Sequence, residues 1–476
     1  MSFFSGLNDE KYDRQYTDRV LTGRIIGYFK PQKKRLVLVS VLVVALAAIG
    51  AALPVVVSRI VDLLKARPTE YAIWLVGLAL VIVGVSLWAL NWARRSLTVR
   101  AVGDVVLELR TRAFRAAADH DLSFYDQFSS GRIVSRITSD TNDFGQLIVI
   151  VTDVGSQIIQ AIILGVVLFR TEWKLALLLT SFLPFIFAVA AGFRALARRV
   201  TKRGMKAMAN VNAAIKETIS GISIAKNFRQ EDSIFKLFDE SNRQSYHVNV
   251  QRGFVLSLVF PTLNALSGIF VGVLVYAGGL SAAQGLVTIG AWYLFIMSLD
   301  QFFFPILNLS AFWAQIQSGL AAAERAFALI DADPNVIQTD RRDVPRLTGR
   351  IQFENFYFRY TDKEPILTDF NLLIRPGENL ALVGHTGAGK SSIAKLIARF
   401  YEYQRGSLLI DGHDIRTFDL GQYRRQLGIV SQVPFLFSGT VADNIRYACP
   451  ANSPVGEECI SDDEMLAMAR SIGDGD

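Results

Sequence analysis

Six long apolar segments fill most of the chain before residue 310 and decide its predicted architecture. They cover residues 37–57, 71–93, 145–169, 175–193, 254–280 and 289–309. Each is long enough to cross a hydrocarbon layer of about 30 Å, which takes about 20 helical residues. Lipid offers no hydrogen-bond partners to backbone N–H and C=O groups, so these segments are predicted to be helices. The pattern therefore predicts an α-helical membrane domain with six spans.

Basic residues are distributed unevenly among the connections between these segments. The two long connections, residues 94–144 and 194–253, carry eight and twelve Lys or Arg residues. The short connections carry only Arg59, Lys65, Arg67, Arg170 and Lys174. Since basic residues concentrate on the cytoplasmic side, both long loops and both termini are predicted to be cytoplasmic. We expect a multi-pass protein of the plasma membrane, the inner membrane of a bacterium.

A short amphipathic stretch precedes the first span. Residues 20–29 are followed by Lys30, Lys33, Lys34 and Arg35, a cluster that favours a negatively charged membrane surface. We assign residues 1–36 to a cytoplasmic N-terminus with an interfacial elbow helix, and residues 37–330 to the transmembrane domain.

Both long loops show helical periodicity. Apolar residues recur at helical spacing through Val102, Val105 and Leu109, and again through Ile234 and Phe238, so the spans are predicted to continue as helices beyond the bilayer. A loop of about 50 residues then reaches on the order of 35 Å into the cytoplasm. The turns are expected near residues 123–126 and 217–222. Such a tip can contact a soluble domain; the alternative is that Phe124 and Tyr125 only close a local hairpin core.

Composition and charge exclude several classes of protein. The chain has 476 residues, 51% hydrophobic and only 20% charged, with a formal net charge of +7. Disordered, collagenous and coiled-coil proteins are excluded, and the spans exclude a soluble nucleotide kinase. Membrane topology accounts for the positive charge, which disfavours nucleic-acid binding. Two cysteines are too few for a disulfide scaffold, and both are predicted to be free thiols.

The composition becomes that of a globular domain after residue 324. We assign residues 331–349 to a linker and residues 350–476 to a soluble domain. Ile351, Phe353, Phe356 and Phe358 predict a strand, and residues 379–383 predict a short, fully buried strand. The sequence Gly-His-Thr-Gly-Ala-Gly-Lys-Ser follows at 384–391, and a helical pattern follows that. This order of strand, glycine loop and helix predicts a partial α/β domain with a phosphate-binding P-loop.

The chemistry of a polyphosphate explains the spacing of this loop. Gly384, Gly387 and Gly389 let the backbone N–H groups approach the phosphates closely. Lys390 is predicted to reach the β- and γ-phosphates, and Ser391 to ligate Mg²⁺. The alternative is a chance match in a glycine-rich turn. We predict ATP and Mg²⁺ as cofactors, held by the loop and its surroundings: Tyr360, Gly384, His385, Thr386, Gly387, Ala388, Gly389, Lys390, Ser391 and Ser392.

Two more residues are candidates for the same nucleotide site. Tyr360 follows the first strand, where an aromatic ring could stack on adenine. Gln432 follows the apolar stretch 427–430, where a neutral amide could approach Mg²⁺ or the attacking water. We therefore name Lys390 and Gln432 as catalytic residues, and Ser391 and Gln432 as metal ligands. The alternative for each is ordinary: packing for Tyr360 and solvation for Gln432.

The whole chain resembles the exporter-type ABC transporters, as a half-transporter of the multidrug and lipid exporter class. The resemblance rests on residues 384–391, on residues 429–445 beginning Ile-Val-Ser-Gln, and on residues 321–327, Ala-Ala-Ala-Glu-Arg-Ala-Phe. It implies that Tyr360 stacks on adenine, that Gln432 senses the γ-phosphate, and that the two loop tips are coupling helices. It also implies a second half-transporter, identical or paralogous, whose ATP-binding domain closes on ATP together with this one.

One departure from that family stands out. No LSGGQ-like signature, no acidic strand end with a glutamate base and no switch histidine follows the glutamine loop. We therefore expect this chain to be a C-terminally truncated form of a longer protein, able to bind nucleotide poorly and unable to turn it over.

The sequence says little about the cargo. Asp153, Asp300 and Gln301 interrupt apolar segments, and an ionisable group at membrane depth is a functional candidate. Asp300 could attract a cation, or could face water or be partnered by Arg59. Aromatics around Trp292, Phe295 and residues 302–304 could line a cavity or face lipid. ATP-driven export of a hydrophobic or amphipathic small molecule, lipid or peptide is the leading hypothesis. The alternatives are an importer, for example of siderophores, and an ATP-gated channel or non-hydrolysing regulatory half of a heterodimer.

Overall fold

The computed structural model describes residues 16–65, 69–361, 364–385, 387–449 and 460–472. The chain divides into two compact units. The membrane unit consists of Met1–Arg115 and Val134–Asp331, and the second unit consists of Ala116–Ile133 and Ala332–Asp476. The tip of the first long loop therefore belongs to the same unit as the phosphate loop.

Long helices make up the membrane unit, with short helices at the loop tips. In chain order the helices before residue 331 are α1 Asp18–Phe29, α2 Lys33–Lys65, α3 Glu70–Asp119, α4 Leu122–Gln127, α5 Ser130–Ser135, α6 Thr141–Thr171, α7 Trp173–Ser220, α8 Ile222–Asn227, α9 Glu231–Ala283 and α10 Ile289–Ile330. Of these, α4 at the first loop tip belongs to the second unit. A π-helical turn at Arg136–Asp140 joins α5 to α6. The prediction that the apolar segments continue as helices into the long connections is confirmed, since α3, α7 and α9 contain 50, 48 and 53 residues.

Five helices of the described chain are long and apolar enough to cross a membrane. They are Arg19–Leu64, Glu70–Asp119, Ser130–Thr171, Trp173–Ser220 and Glu231–Ala283. The sixth predicted segment coincides with α10, a helix of 42 residues. The side chains at 303–311 lie outside the described residues, so the count of six spans stays a prediction.

Apolar packing and buried polar pairs both hold the membrane unit together. Its main core joins α2, α6, α7, α9 and α10 around residues such as Leu164, Leu179 and Phe295. Within it, Gln160 donates a 2.7 Å hydrogen bond from its amide to the amide oxygen of Gln301. Asp153 is paired with Arg94 at 2.7 Å. These contacts explain polar residues at membrane depth, because an unpaired polar group there is costly.

The elbow helix α1, which the basic cluster follows in the chain, packs against other helices of the membrane unit. Leu21 and Phe29 of α1 are buried against Leu109, Phe144 and Phe327, which lie on α3, α6 and α10. Arg24 forms a salt bridge with Asp331, with a distance of 2.6 Å between Nη2 and Oδ1. The elbow helix therefore packs against the C-terminal end of α10.

An antiparallel sheet and short helices form the second unit. Strands β1 Ile351–Phe358, β2 Leu367–Ile374, β3 Arg405–Ile410 and β4 His413–Asp414 are ordered β2-β1-β3-β4. The helices are α11 Lys390–Ile397, α12 Leu420–Arg425, α13 Val441–Ile445 and α14 Asp462–Ile472. The predicted strand β1 is confirmed, with a register shift between Phe353 and Phe356. Asn355 has a φ of 43° there, and this bulge lets two phenylalanines three positions apart face one core.

The predicted buried strand at residues 379–383 is wrong for this structure. The segment has no strand conformation, and the side chain of Val383 is 92% exposed. The apolar stretch 427–430 is also irregular, and Val430 is fully exposed. A strand needs partner strands to satisfy its backbone, and none of the described strands pairs with either segment.

The prediction of free thiols is also wrong, because Cys449 is disulfide-bonded.

Candidate functional site

The glycine loop has the backbone shape that its sequence predicts. Gly387 and Gly389 have φ values of 90° and 86°, which glycine adopts without a steric penalty. A Cβ on Gly389 would lie 3.2 Å from side-chain carbons of Ile366 and Leu367. The loop therefore needs glycine at 389 for both conformation and space. Ala388 donates its N–H to the carbonyl of His385 at 3.2 Å, while Thr386 lies outside the described residues.

Helix α11 starts directly after this loop and leaves its first turn open to an anion. Gly389 is its N-cap and offers no side chain to cap the helix. Lys390 donates two 2.7 Å hydrogen bonds from Nζ, to the carbonyls of Gly384 and His385. Uncapped N–H groups, a helix N-terminus and an ammonium beside them fit a polyphosphate. The residues present therefore suit ATP at this loop.

The two serines of the motif have different surroundings. Ser391 is exposed on the first turn of α11, whereas Ser392 is buried. The hydroxyl of Tyr360 donates a 3.0 Å hydrogen bond to Oγ of Ser392. Tyr360 is thereby tied to the helix that begins at the phosphate loop. The structure therefore places Tyr360 beside the first turn of α11, and its stacking on adenine stays a prediction.

Tyr401 is a residue that sequence reasoning missed. It follows α11 by four positions and is only 5% exposed. Its ring lies edge-on to that of Tyr360, with centroids 4.9 Å apart and an interplanar angle of 86°. Its hydroxyl donates a 2.5 Å hydrogen bond to Oδ2 of Asp126 on α4. The available signal was the pair Phe400–Tyr401 at the end of the phosphate-loop helix.

A carboxylate in front of α4 makes a second attachment. Asp121 accepts hydrogen bonds from the backbone N–H groups of Asn335 and Val336 at 2.6 and 2.9 Å. The amide of Asn335 also donates to Oγ of Ser123 at 2.6 Å. Burial raises the pKa of Asp121, but hydrogen bonds from Ser123, Val336 and Asn335 outweigh it and hold the pKa below its ordinary value. The first predicted loop tip is therefore confirmed as a helix that docks on the soluble part.

The second loop tip belongs to the membrane unit. Helix α7 ends at Ser220, Gly221 makes the turn, and α8 follows, which confirms the predicted position of the turn. Its contact with an ATP-binding domain stays a prediction. The exposed apolar side chains there include Ile219, Ile224 and Phe228.

Gln432 is not joined to the phosphate loop by any hydrogen bond of the described chain. It is exposed in an irregular segment. The neighbouring chain has local order: the amide of Asn444 bridges to Phe437, and α13 begins with a capping box formed by Thr440 and Asp443. The assignment of Gln432 as a catalytic residue and metal ligand therefore stays a prediction.

The chain matches two known families along its length. Residues 36–306 match the ABC transporter transmembrane region, and residues 367–476 match the ABC transporter family. The chain belongs to the ABC transporter family. The ATP-dependent lipid A-core flippase of Syntrophus aciditrophicus is 30% identical over 451 residues, covering 94% of this chain and 73% of that protein.

Other relatives carry different names. The fatty acid ABC transporter ATP-binding/permease protein of Mycobacterium bovis is 30% identical, covering 75% of this chain and 57% of that protein. The ABC multidrug transporter mdr2 of Aspergillus fumigatus is 29% identical, covering 90% of this chain and 55% of that protein.

The fused transmembrane and ATP-binding regions make this chain a half-transporter of the exporter type. It binds ATP, and the family drives export by hydrolysing it. The relatives do not favour the importer, channel or regulatory-subunit alternatives.

Proposed function

We propose that this half-transporter works as a dimer with an identical or paralogous chain and exports a hydrophobic or amphipathic molecule, lipid or peptide. The observation that carries the proposal is the hydrogen bond between Tyr401 and Asp126. It fastens the tip of a membrane-helix loop to the unit that contains the phosphate loop. A change at the nucleotide site can therefore reach α3 and the helix Ser130–Thr171, which flank that tip.

Each residue of the proposed nucleotide site has a role set by its position. Gly384, Gly387 and Gly389 offer backbone N–H groups to the phosphates, and Lys390 neutralises the β- and γ-phosphates. Ser391 and Gln432 would hold Mg²⁺, Tyr360 would stack on adenine, and Ser392 holds the hydroxyl of Tyr360. Bound Mg·ATP supplies the hydrolysable phosphoanhydride. His385, Thr386 and Ala388 contribute loop backbone, without a catalytic role for their side chains.

A groove in the membrane unit supports an amphipathic cargo. Its volume is about 720 Å³, within the range of small-molecule sites. Its lining includes one face of α6 from Gln157 through Ile158 and Ile162 to Arg170, with Phe302 of α10 beside it. Trp292 and Phe295, by contrast, pack within the helix bundle. An apolar groove with the guanidinium of Arg170 at one end suits a molecule that has apolar and polar parts.

The proposed arrangement in the membrane follows the charge bias of the loops. Residues 1–36 form the N-terminus and elbow, 37–330 the six-span domain, 331–349 the linker and 350–476 the ATP-binding domain. The protein lies in the plasma membrane of a bacterium with both termini in the cytoplasm. Closure of two ATP-binding domains moves the loop tips and turns an inward-facing cavity outward.

The test uses inside-out membrane vesicles that contain the full-length protein. ATP should drive uptake of a fluorescent amphipathic dye, and Lys390→Ala should abolish both ATP binding and uptake. Arg375→Ala, an exposed basic residue of the same unit, should leave both unchanged. Unchanged ATP binding and uptake in Lys390→Ala would overturn the phosphate-loop assignment.

A further inference from the structure

Tyr401 occupies a place between two residues with different tasks. On one side its ring contacts Tyr360, the proposed adenine platform, edge to face. On the other side its hydroxyl holds Asp126 on α4. Such ring pairs have a preferred geometry, and a buried side chain moves only together with its neighbours. A displacement of Tyr360 therefore displaces Tyr401.

Lys395 strengthens the link between the two rings. Its ammonium lies 5.8 Å from the ring centroid of Tyr360 and 5.5 Å from that of Tyr401. A cation that contacts both rings holds them as one cluster. Burial, together with the bond to Asp126, raises the pKa of the Tyr401 hydroxyl, so this hydroxyl stays a donor at physiological pH. The cluster is continuous from Ser392 through Tyr360 and Tyr401 to Asp126.

We propose that Tyr401 is a positioning residue that transmits adenine stacking on Tyr360 to the loop tip α4. The inference rests on the proposed function, because it takes Tyr360 as the adenine platform. It adds a route that depends on the base of the nucleotide, separate from the phosphates at Lys390. A ligand with phosphates and no base occupies the loop without engaging this route.

The experiment compares two probes that differ in the base. One is a non-hydrolysable ATP analogue and the other is inorganic tripolyphosphate, each with Mg²⁺. Hydrogen exchange of the α4 amides is measured in the protein reconstituted in nanodiscs. In the wild type the ATP analogue should protect α4 more strongly than tripolyphosphate. The extra protection of α4 by the ATP analogue, relative to tripolyphosphate, should fall by about tenfold in Tyr401→Phe. This is the effect expected for loss of one hydrogen bond to a charged acceptor.

Controls separate transmission from folding and from nucleotide binding. Tyr401→Phe retains the ring, so affinity for the ATP analogue should change by less than about twofold. Tyr403→Phe removes the hydroxyl of a buried tyrosine that bonds Asp414 at 3.2 Å, and it should leave α4 protection as in the wild type. Asp126→Asn replaces the charged acceptor of the Tyr401 hydrogen bond. It should reduce the adenine-dependent protection of α4 as much as Tyr401→Phe does.

The possible outcomes are distinct. Full adenine-dependent protection of α4 in both Tyr401→Phe and Asp126→Asn would overturn the inference while leaving the proposed function intact. Equal protection by both probes in the wild type would also overturn it. Failure of the wild type to bind the ATP analogue at all would instead overturn the proposed nucleotide site.

Discussion

The hydroxyl of Tyr401 lies 2.5 Å from the carboxylate of Asp126, although 275 positions separate the two residues in the chain. Tyr401 follows the helix that begins at the phosphate loop, and Asp126 lies on the short helix at the tip of the first long loop. The contact therefore joins two distant parts of the sequence within the second unit. Asp121 and His120, which precede α4, make further contacts whose strength can be measured.

Asp121 should make the stability of α4 docking depend on pH in the acidic range. Its folded-state pKa lies below the ordinary value of 3.8, so its stabilisation is complete above that value and is lost as pH falls through the lower folded pKa. Asp121→Asn should speed exchange of the Asn335 and Val336 amides at pH 7 and remove this acid dependence. The exposed Asp119 serves as the control, and Asp119→Asn should behave as the wild type does. Slow exchange in Asp121→Asn would contradict the prediction.

His120 should make the same docking sensitive at mildly acidic pH. Its ring stacks on Phe124 with centroids 4.2 Å apart, and neither ring nitrogen has a hydrogen-bond partner within the described chain. Burial lowers its pKa against the opposing effect of Asp121, Asp119 and Asp333. The neutral ring is favoured on folding, so stability is complete above pH 6.5 and is lost as pH falls through the folded pKa.

The measurement for His120 is the protection factor of the α4 amides between pH 7.5 and about 5. The wild type should lose protection as the solution is acidified. His120→Phe retains a ring for stacking and should lose the dependence in that window. An identical pH profile in the two proteins would refute the role of His120.

Gly389→Ala should damage nucleotide binding. An alanine at the φ of 86° costs about 1–2 kcal/mol, and its Cβ would press on Ile366 and Leu367. We expect affinity for ATP to fall by about tenfold, measured by equilibrium binding. Gly412→Ala is matched, because its φ is 83° with open space around the added Cβ. It should lower stability without changing ATP affinity, and equal affinity in all three proteins would contradict the prediction.

Removing one partner of the Arg94–Asp153 pair should be more harmful than removing both. The side chain of Arg94 is 7% exposed and also donates to Asn91 at 3.0 Å. Asp153→Ala leaves a buried, uncompensated charge, which costs about 3–5 kcal/mol. The double variant Arg94→Met, Asp153→Leu should recover most of that loss. Thermal unfolding in detergent measures both, and equal stability of Asp153→Ala and the wild type would rule the prediction out.

The features best predicted from the sequence are those with a strong local cause. Apolar length predicted the long helices, periodicity predicted that they extend past the apolar segments, and glycine spacing predicted the phosphate loop. The position of α4 was predicted as a loop tip, because a polar segment with two aromatics interrupts the helical pattern. Its place after the first strand made Tyr360 a candidate, and the resemblance matched it, before the structure placed it against Ser392.

Features that depend on distant partners could not be predicted in this way. Nothing near residue 401 in the sequence indicates that its hydroxyl meets a residue 275 positions away. Residues 379–383 have the composition of a buried strand, but strand conformation is a property of paired segments. Arg59 was considered as a partner only for Asp300, and the sequence suggested no partner for Asp153, which helix packing pairs with Arg94.

A disulfide crosslink tests most directly whether α4 is fastened to its own ATP-binding domain. Ser123 and Asn335 are joined by a 2.6 Å hydrogen bond, and Ser123→Cys with Asn335→Cys places a thiol at each position. We predict that the crosslink forms in membranes with and without nucleotide, identified by mass spectrometry of the joined peptides, and that the crosslinked protein still transports. Absence of the crosslink would contradict the attachment of this loop tip to the nucleotide-binding unit.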